Sequence, residues 1–251
     1  MSEKKKKGRF CVAPFVALNT RGHGNMRVCC SILKNLSGIP KNMSVDENNA
    51  LYDENTGQFI FEDKFYNLTQ DSIEEIWNSR FYKDFRSKMT SGEYISNCEY
   101  CYDMEDNGLS SKRMGRNLQF LGNFEGDYKN VDQKVPLYKE TADLIDRAAK
   151  NQGEVLISPQ WLEVRFSTIC NLRCVMCSPS LSTSIVREFE KNEDLLCERQ
   201  KGSLRIAQKY AEKGQLRDSQ FFMEQIKKIA KTSRFFEFRG GEALQDKKMM
   251  D

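Results

Sequence analysis

Cys170-Asn-Leu-Arg-Cys174-Val-Met-Cys177 sets three thiols on one short stretch of chain. Thiolates are soft ligands that suit iron–sulfur clusters, and three of them satisfy three corners of a four-iron cubane. The fourth iron then has no protein ligand and is open to a small molecule. A structural zinc would take four protein ligands in a closed shell, and no fourth cysteine or histidine lies nearby. Cys197 falls well downstream, on a stretch that reads as helical, and is taken as a thiol with no ligand role. A second group, Cys11, the pair Cys29-Cys30, and Cys98-Glu-Tyr-Cys101, brackets the first hundred residues. Its two cysteine corners with a helix between them are compatible with a zinc ribbon as well as with a cluster.

The rest of the composition narrows the chemistry. The chain has a single histidine, His23 in Arg-Gly-His-Gly, so a zinc hydrolase built on several histidines is excluded. A Ser-His-Asp arrangement would have only this one base, and His23 reads as a turn residue. The net charge of +3 is too small to argue for nucleic acid, and much of it sits in Lys4–Lys7 of a basic tail, residues 1–9. No apolar stretch approaches the roughly 20 residues of a membrane span. Phe10–Leu18 is too short for a signal sequence and is interrupted by Pro14. A cytoplasmic location is expected, where nine cysteines point to metal rather than disulfides. The sequons at Asn35, Asn42 and Asn67 read as chance matches there.

The elements that must position these thiols are legible in outline. Pro14–Leu18 and Asn25–Val28 read as strands of a hairpin around Arg21-Gly-His-Gly24. Asp71–Lys88 reads as a helix, capped by Asp71 or Ser72 with Glu74 or Glu75 three residues on, and ended by Met89-Thr-Ser-Gly92. Its apolar face is Ile73, Ile76, Trp77, Phe81 and Phe85. Residues 108–159 read as a polar connector with a helical patch around Thr141–Lys150. Trp161–Ser167 alternates apolar and polar residues and reads as a strand that delivers the chain into the cysteine stretch. Leu181–Lys231 is mostly helical; Asp218 or Ser219 caps its last helix, whose apolar face is Phe222, Ile226 and Ile229. Phe235–Phe238 is a second strand, closed by Gly240-Gly241. Strand, helix and strand in that order predict a parallel βαβ unit.

The Cys-x3-Cys-x2-Cys pattern after a strand, with Gly240-Gly241-Glu242 after the next strand, resembles the radical S-adenosylmethionine (SAM) superfamily. The resemblance implies that Cys170, Cys174 and Cys177 hold a SAM-binding 4Fe–4S cluster. It implies that Gly240, Gly241 and Glu242 receive the amino group of SAM bound to the open iron. Met176 stands where the family has an aromatic residue near the adenine, and a methionine can pack softly there. By the same resemblance, one electron from the reduced cluster cleaves SAM to methionine and a 5′-deoxyadenosyl radical, which abstracts hydrogen from substrate. Orientation and a dry cavity are what such a protein contributes.

Cys11-Val-Ala-Pro-Phe15, Gly24-Asn-Met-Arg-Val-Cys29-Cys30, Ile76-Trp77-Asn78-Ser79 with Arg86, and Cys98-x2-Cys101 together resemble the auxiliary-cluster module called SPASM or twitch. The ligands this implies are Cys11, Cys29, Cys98 and Cys101 around a second 4Fe–4S cluster, with Cys30 as an alternative to Cys29. Asn107-Gly-Leu-Ser-Ser-Lys-Arg113 matches the stretch that follows the second cysteine pair in such proteins, without a chemical role. The module precedes the SAM-binding part, the reverse of the usual order.

The expected fold is α/β. A small α+β auxiliary iron–sulfur module spans residues 10–107, a connector 108–159, and the first βαβ portion of a partial (β/α)6 barrel 160–251. An eight-unit barrel takes about 250 residues, so the SAM part reads as truncated or split, ending in the polar run to Met249-Met250-Asp251. The expected function is that of a radical SAM enzyme or its N-terminal portion. Its expected partners are SAM, an electron donor such as flavodoxin or ferredoxin, and a peptide or protein substrate; no membrane or nucleic-acid partner is expected. The catalytic residue and the substrate are not legible. The alternatives are a zinc-binding interaction module and a cluster-binding scaffold without catalysis.

Overall fold

The computed structural model describes residues 8–20, 24, 26–29, 31, 44–45, 51–53, 58–61, 64–65, 67–211 and 216–242. Lys4–Lys7, His23 with the other residues at 21–23, Asn25, Cys30, Asn35, Asn42 and Met249–Asp251 lie outside them.

The chain begins with one helical turn, α1 (Ala13–Val16), and the hairpin of β1 (Ala17–Thr20) and β2 (Met26–Arg27). The strand expected from Pro14 therefore starts three residues later. Proline fixes φ near the helical value and its missing N–H costs nothing in a first turn, so Pro14 belongs to α1. The hairpin itself is as expected, Asn19 facing Arg27 and Thr20 facing Met26. Four short strands follow, β3 (Ser44–Val45), β4 (Leu51–Asp53), β5 (Gln58–Phe61) and β6 (Lys64–Phe65), in an antiparallel sheet that sequence reasoning missed.

The helix expected over Asp71–Lys88 is two helices, α2 (Ile73–Trp77) and α3 (Arg80–Ser91). Ser72 and Glu75 form the expected capping box on α2. The break falls at Asn78-Ser79. The Ser79 hydroxyl accepts from the Tyr82 amide as a fresh cap, while the Asn78 side chain leaves the helix to bind both backbone groups of Val155, at 2.9 and 3.0 Å. The apolar face is nonetheless the expected one, and Gly92 closes α3 in the left-handed region.

The second cysteine pair sits at the entry to α4 (Glu99–Asp106). Residues 108–159, expected to be mostly connector, contain α5 (Lys112–Leu121) and α6 (Pro136–Lys150), which pack on each other and against α1. Strand β7 (Trp161–Arg165) leads through α7 (Thr183–Lys191), α8 (Glu198–Ala211) and α9 (Gln220–Ala230) to β8 (Phe235–Arg239). Ser219 caps α9 as expected. Cys197 precedes α8 rather than riding on it and is exposed.

Strands β7 and β8 pair in parallel, Trp161 with Phe235 through Arg165 with Arg239, which is the expected βαβ unit. The unexpected feature is that β1 pairs in parallel with β7, Leu18 beside Leu162, giving the order β2-β1-β7-β8. One sheet therefore joins the first segment to the last. Side chains alternate across its faces. Phe166, in step with Leu162 and Val164, meets Phe222 of α9; Trp161 and Phe235 on the other face stack on each other and meet Phe120 of α5. Among the described residues, no helix is long and apolar enough to cross a membrane.

Candidate functional site

Cys11 enters just before α1, Cys29 follows β2, and Cys98 and Cys101 stand at the start of α4. These three elements converge, and all four thiols line one cavity together with Arg9, Lys112, Arg113 and Arg116. None of the four is in a disulfide; Cys101 is buried and the other three are half-buried. Burial pushes Cys11 up to about 12. Burial, reinforced by the neighbouring Cys29, Cys11 and Cys101, holds Cys98 well above the ordinary thiol range, and burial also raises Cys101. Thiols so placed stay protonated until something cationic claims them. The chemistry of the donor set fits an iron–sulfur cluster: four soft sulfurs surround a space whose remaining wall carries four cationic side chains, the right sign for a net anionic thiolate cluster. Among the described residues, no three His, Cys, Asp or Glu close in on a single ion-sized point. The four thiols share the lining of this one cavity.

The cavity is held open by a clamp that sequence reasoning did not find. Arg113 of α5 is buried, and its Nε and Nη2 bind both oxygens of Glu105 on α4, at 2.8 and 2.6 Å. Its Nη1 donates to the carbonyls of Phe10, at 2.8 Å, and Glu125, at 3.1 Å. One guanidinium thus ties the helix carrying Cys101 to the residue preceding Cys11. Burial opposes ionisation of Glu105, but the hydrogen bonds from Arg113 and Ser111 outweigh it and hold the carboxyl below its usual range. Asn117, fully buried, grips the same loop: it donates to the Phe10 carbonyl at 3.0 Å and accepts from the Val12 amide at 2.9 Å. Behind them, the fully buried Arg86 donates to the Pro14 carbonyl at 2.7 Å and lies over the Trp77 ring, and burial lowers it to about 9. The stretch Asn107–Arg113 carried the only sequence signal for this clamp, and it had no assigned role.

The second thiol group lies on the loop at the C-terminal end of β7. The start of α7 grips the Cys170 backbone: its amide donates to the Thr183 hydroxyl at 3.1 Å and its carbonyl accepts from the Ser184 hydroxyl at 2.6 Å. The Cys177 amide donates to the Cys174 carbonyl at 2.8 Å. Cys170 and Cys177 are half-buried, and Cys174 is exposed with Val175 and Met176 at the tip.

Gly240 and Gly241, at the end of the neighbouring strand, pack directly on the root of this loop. The Glu242 amide donates to the Ile169 carbonyl at 2.8 Å, and the Gly241 amide to the Leu181 carbonyl at 3.0 Å. Both glycines have positive φ, +87° and +47°. A Cβ on Gly241 would stand 2.0 Å from the Ile169 oxygen, and one on Gly240 would stand 2.3 Å from Arg165 Cγ. Only glycine allows this approach.

Residues 11–102 match the SPASM family, described as an iron–sulfur cluster-binding domain. The matched segment covers less than half of the chain and contains all four thiols that line the cavity. The SPASM segment begins at Cys11 and ends at Tyr102, one residue past Cys101, so its limits coincide with the outermost of those thiols. No curated protein and no solved structure matches the chain. Arg113 and Asn117 lie outside the match, so the clamp on the SPASM segment is supplied by the residues that follow it.

Proposed function

We propose that the chain is a radical SAM protein with two 4Fe–4S clusters, one on Cys170, Cys174 and Cys177 and an auxiliary one on Cys11, Cys29, Cys98 and Cys101. The SPASM match supports iron–sulfur binding in the first segment. The observation that carries the SAM reading is the glycine pair packed on the root of the cysteine loop, at the C-terminal ends of adjacent parallel strands. Open α/β sheets bind ligands at that edge. When bound, the first cluster would supply the electron that splits SAM. Gly240, Gly241 and Glu242 would receive the amino group of SAM, and Met176 would lie toward its adenine. The auxiliary group has four thiols and leaves no open corner, so its role is electron transfer or shaping the substrate cavity. The substrate in this reading is a peptide or protein, the electron donor a flavodoxin or ferredoxin, and the location cytoplasmic.

Iron and acid-labile sulfide per chain, with absorption spectra before and after SAM, test this after anaerobic reconstitution. About eight irons and a SAM-dependent spectral change are expected from two four-iron clusters. Cys174→Ala is expected to keep about half the iron and lose the SAM response; Cys98→Ala is expected to keep about half the iron and retain it. Stoichiometric zinc without iron would overturn the proposal in favour of a zinc-binding module. Full iron with no response to SAM would leave a cluster-binding scaffold.

A further inference from the structure

Three hydroxyls in a row hold the root of the first cysteine loop. The chain leaves β7 at Arg165 and enters α7 only at Thr183, so side chains rather than a helix or strand set the direction of Cys170. The Thr183 hydroxyl accepts from the Cys170 amide at 3.1 Å and donates to the Cys170 carbonyl at 3.2 Å, satisfying both backbone groups of that residue. The Ser184 hydroxyl donates to the same carbonyl at 2.6 Å. Ser182, only 1% exposed, caps α7 by accepting from the Ile185 amide and donates to the Leu172 carbonyl at 3.4 Å. With residues 170 and 172 so held, the Leu172 amide donates to Cys170 Sγ at 3.3 Å. The Cys174 and Cys177 backbones bond each other instead, carbonyl to amide at 2.8 Å.

A hydroxyl suits this task because one atom both accepts and donates. Threonine adds a branched Cβ with few side-chain states, which keeps the oxygen where the Cys170 peptide needs it. The Thr183 amide also donates to the Thr168 carbonyl at 2.9 Å, tying the first turn of α7 to the chain just before Cys170. Leu181 accepts from the Gly241 amide at 3.0 Å, so residues 181–184 join the cysteine loop to the glycine segment. We infer that Ser182, Thr183 and Ser184 are positioning residues for the proposed SAM-binding cluster, fixing the Cys170–Leu172 turn so that a backbone N–H points at the Cys170 sulfur. Hydrogen bonds to the sulfurs help set the reduction potential of a cluster. A donor stabilises the reduced form, which carries one more negative charge, and so raises that potential. The inference rests on the proposed three-thiol cluster.

The test uses the full chain, first iron-free and then reconstituted. In the iron-free chain, Thr183→Val is expected to speed hydrogen exchange at the Cys170 amide roughly three- to tenfold, as for loss of one hydrogen bond, and to leave the β7 amides unchanged. After reconstitution, a redox titration followed by electron paramagnetic resonance gives the midpoint of each cluster, and Cys98→Ala, which lacks the auxiliary one, assigns them. Thr183→Val is expected to move the three-thiol cluster to a more negative midpoint and to leave the auxiliary midpoint where it was. Thr183→Ser keeps the hydroxyl and is expected to match wild type in both measurements. Wild-type exchange or an unmoved midpoint in Thr183→Val, or a Thr183→Ser as altered as Thr183→Val, would overturn the positioning role alone and leave the cluster reading intact. Equal shifts of both midpoints, or faster exchange throughout β7, would overturn it in favour of general loosening. A wild-type chain that loads iron only on the auxiliary cysteines would overturn the three-thiol cluster and this inference with it.

Discussion

Arg113→Met removes the clamp while keeping an unbranched side chain of similar reach. Arg113 and Glu105 are 3% and 8% exposed at their side chains, so this is a buried pair and not a surface one. Breaking such a pair by deleting one partner costs about 3–5 kcal/mol, because the remaining charge is stranded away from water. Arg9 still reaches Glu105 at 3.1 Å and limits the loss, while the carbonyls of Phe10 and Glu125 lose their Arg113 donor and add to it. The two corrections oppose each other, so about 3–5 kcal/mol stands. In a chain of this size each kcal/mol moves the thermal midpoint by about 2–4 °C, so a fall of roughly 6–20 °C is expected. Thermal and urea unfolding of the iron-free chain measure it without interference from cluster loss. Adding Glu105→Leu to Arg113→Met is expected to recover part of the loss, since the stranded charge goes with it. In reconstituted protein, Arg113→Met is expected to lower iron by up to the auxiliary half and to leave the SAM-dependent spectral change. A cost below about 1 kcal/mol, typical of surface pairs, or a double variant equal to the sum of its singles, would refute the clamp.

Three further outcomes are expected. Gly241→Ala should cost about 1–3 kcal/mol in strain and abolish the SAM response without touching auxiliary iron, because the new Cβ would meet the Ile169 backbone at 2.0 Å and no side-chain rotation relieves that; iron assay and SAM titration read both parts. Glu105 has its folded pKa depressed, so its contribution is complete above the unfolded carboxylate value and is lost as pH falls through the depressed one. Urea midpoints below pH 5 should therefore drop more steeply in wild type than in Arg113→Met. Arg86→Lys should cost at least about 2 kcal/mol, measured by the urea midpoint, because one ammonium cannot meet the Pro14 and Gly153 carbonyls together while covering Trp77.

What could be read from the chain alone was whatever is local. Three thiols within one loop, a Ser72–Glu75 capping box, an apolar stripe from Ile73 to Phe85 and an alternating Trp161–Ser167 each encode their conformation within a few residues. The βαβ order before Gly240-Gly241 was legible for the same reason, and so was the hairpin after Cys11. One error was local in origin and the other was not. Pro14 lies in an apolar run that suits either a strand or a helical turn, and Asn78-Ser79 breaks a helix only because Val155, far along the chain, waits for the Asn78 side chain.

What tertiary structure alone decided is everything that depends on register between distant segments. The pairing of β1 with β7 brings Asn19 beside Glu163, and no periodicity in either strand announces the other. Arg113 could not be recognised as a clamp, since an arginine between Lys112 and Arg116 reads as part of a solvated helix face until Glu105 and the Phe10 carbonyl are seen to surround it. The glycine pair was suggestive as a motif, but its necessity comes from the Ile169 carbonyl, some seventy residues earlier, pressing where a Cβ would stand. Ligand type is thus a property of residue chemistry and spacing, which sequence carries. The closeness of the thiols comes from chain packing over long separations, which sequence spacing does not carry.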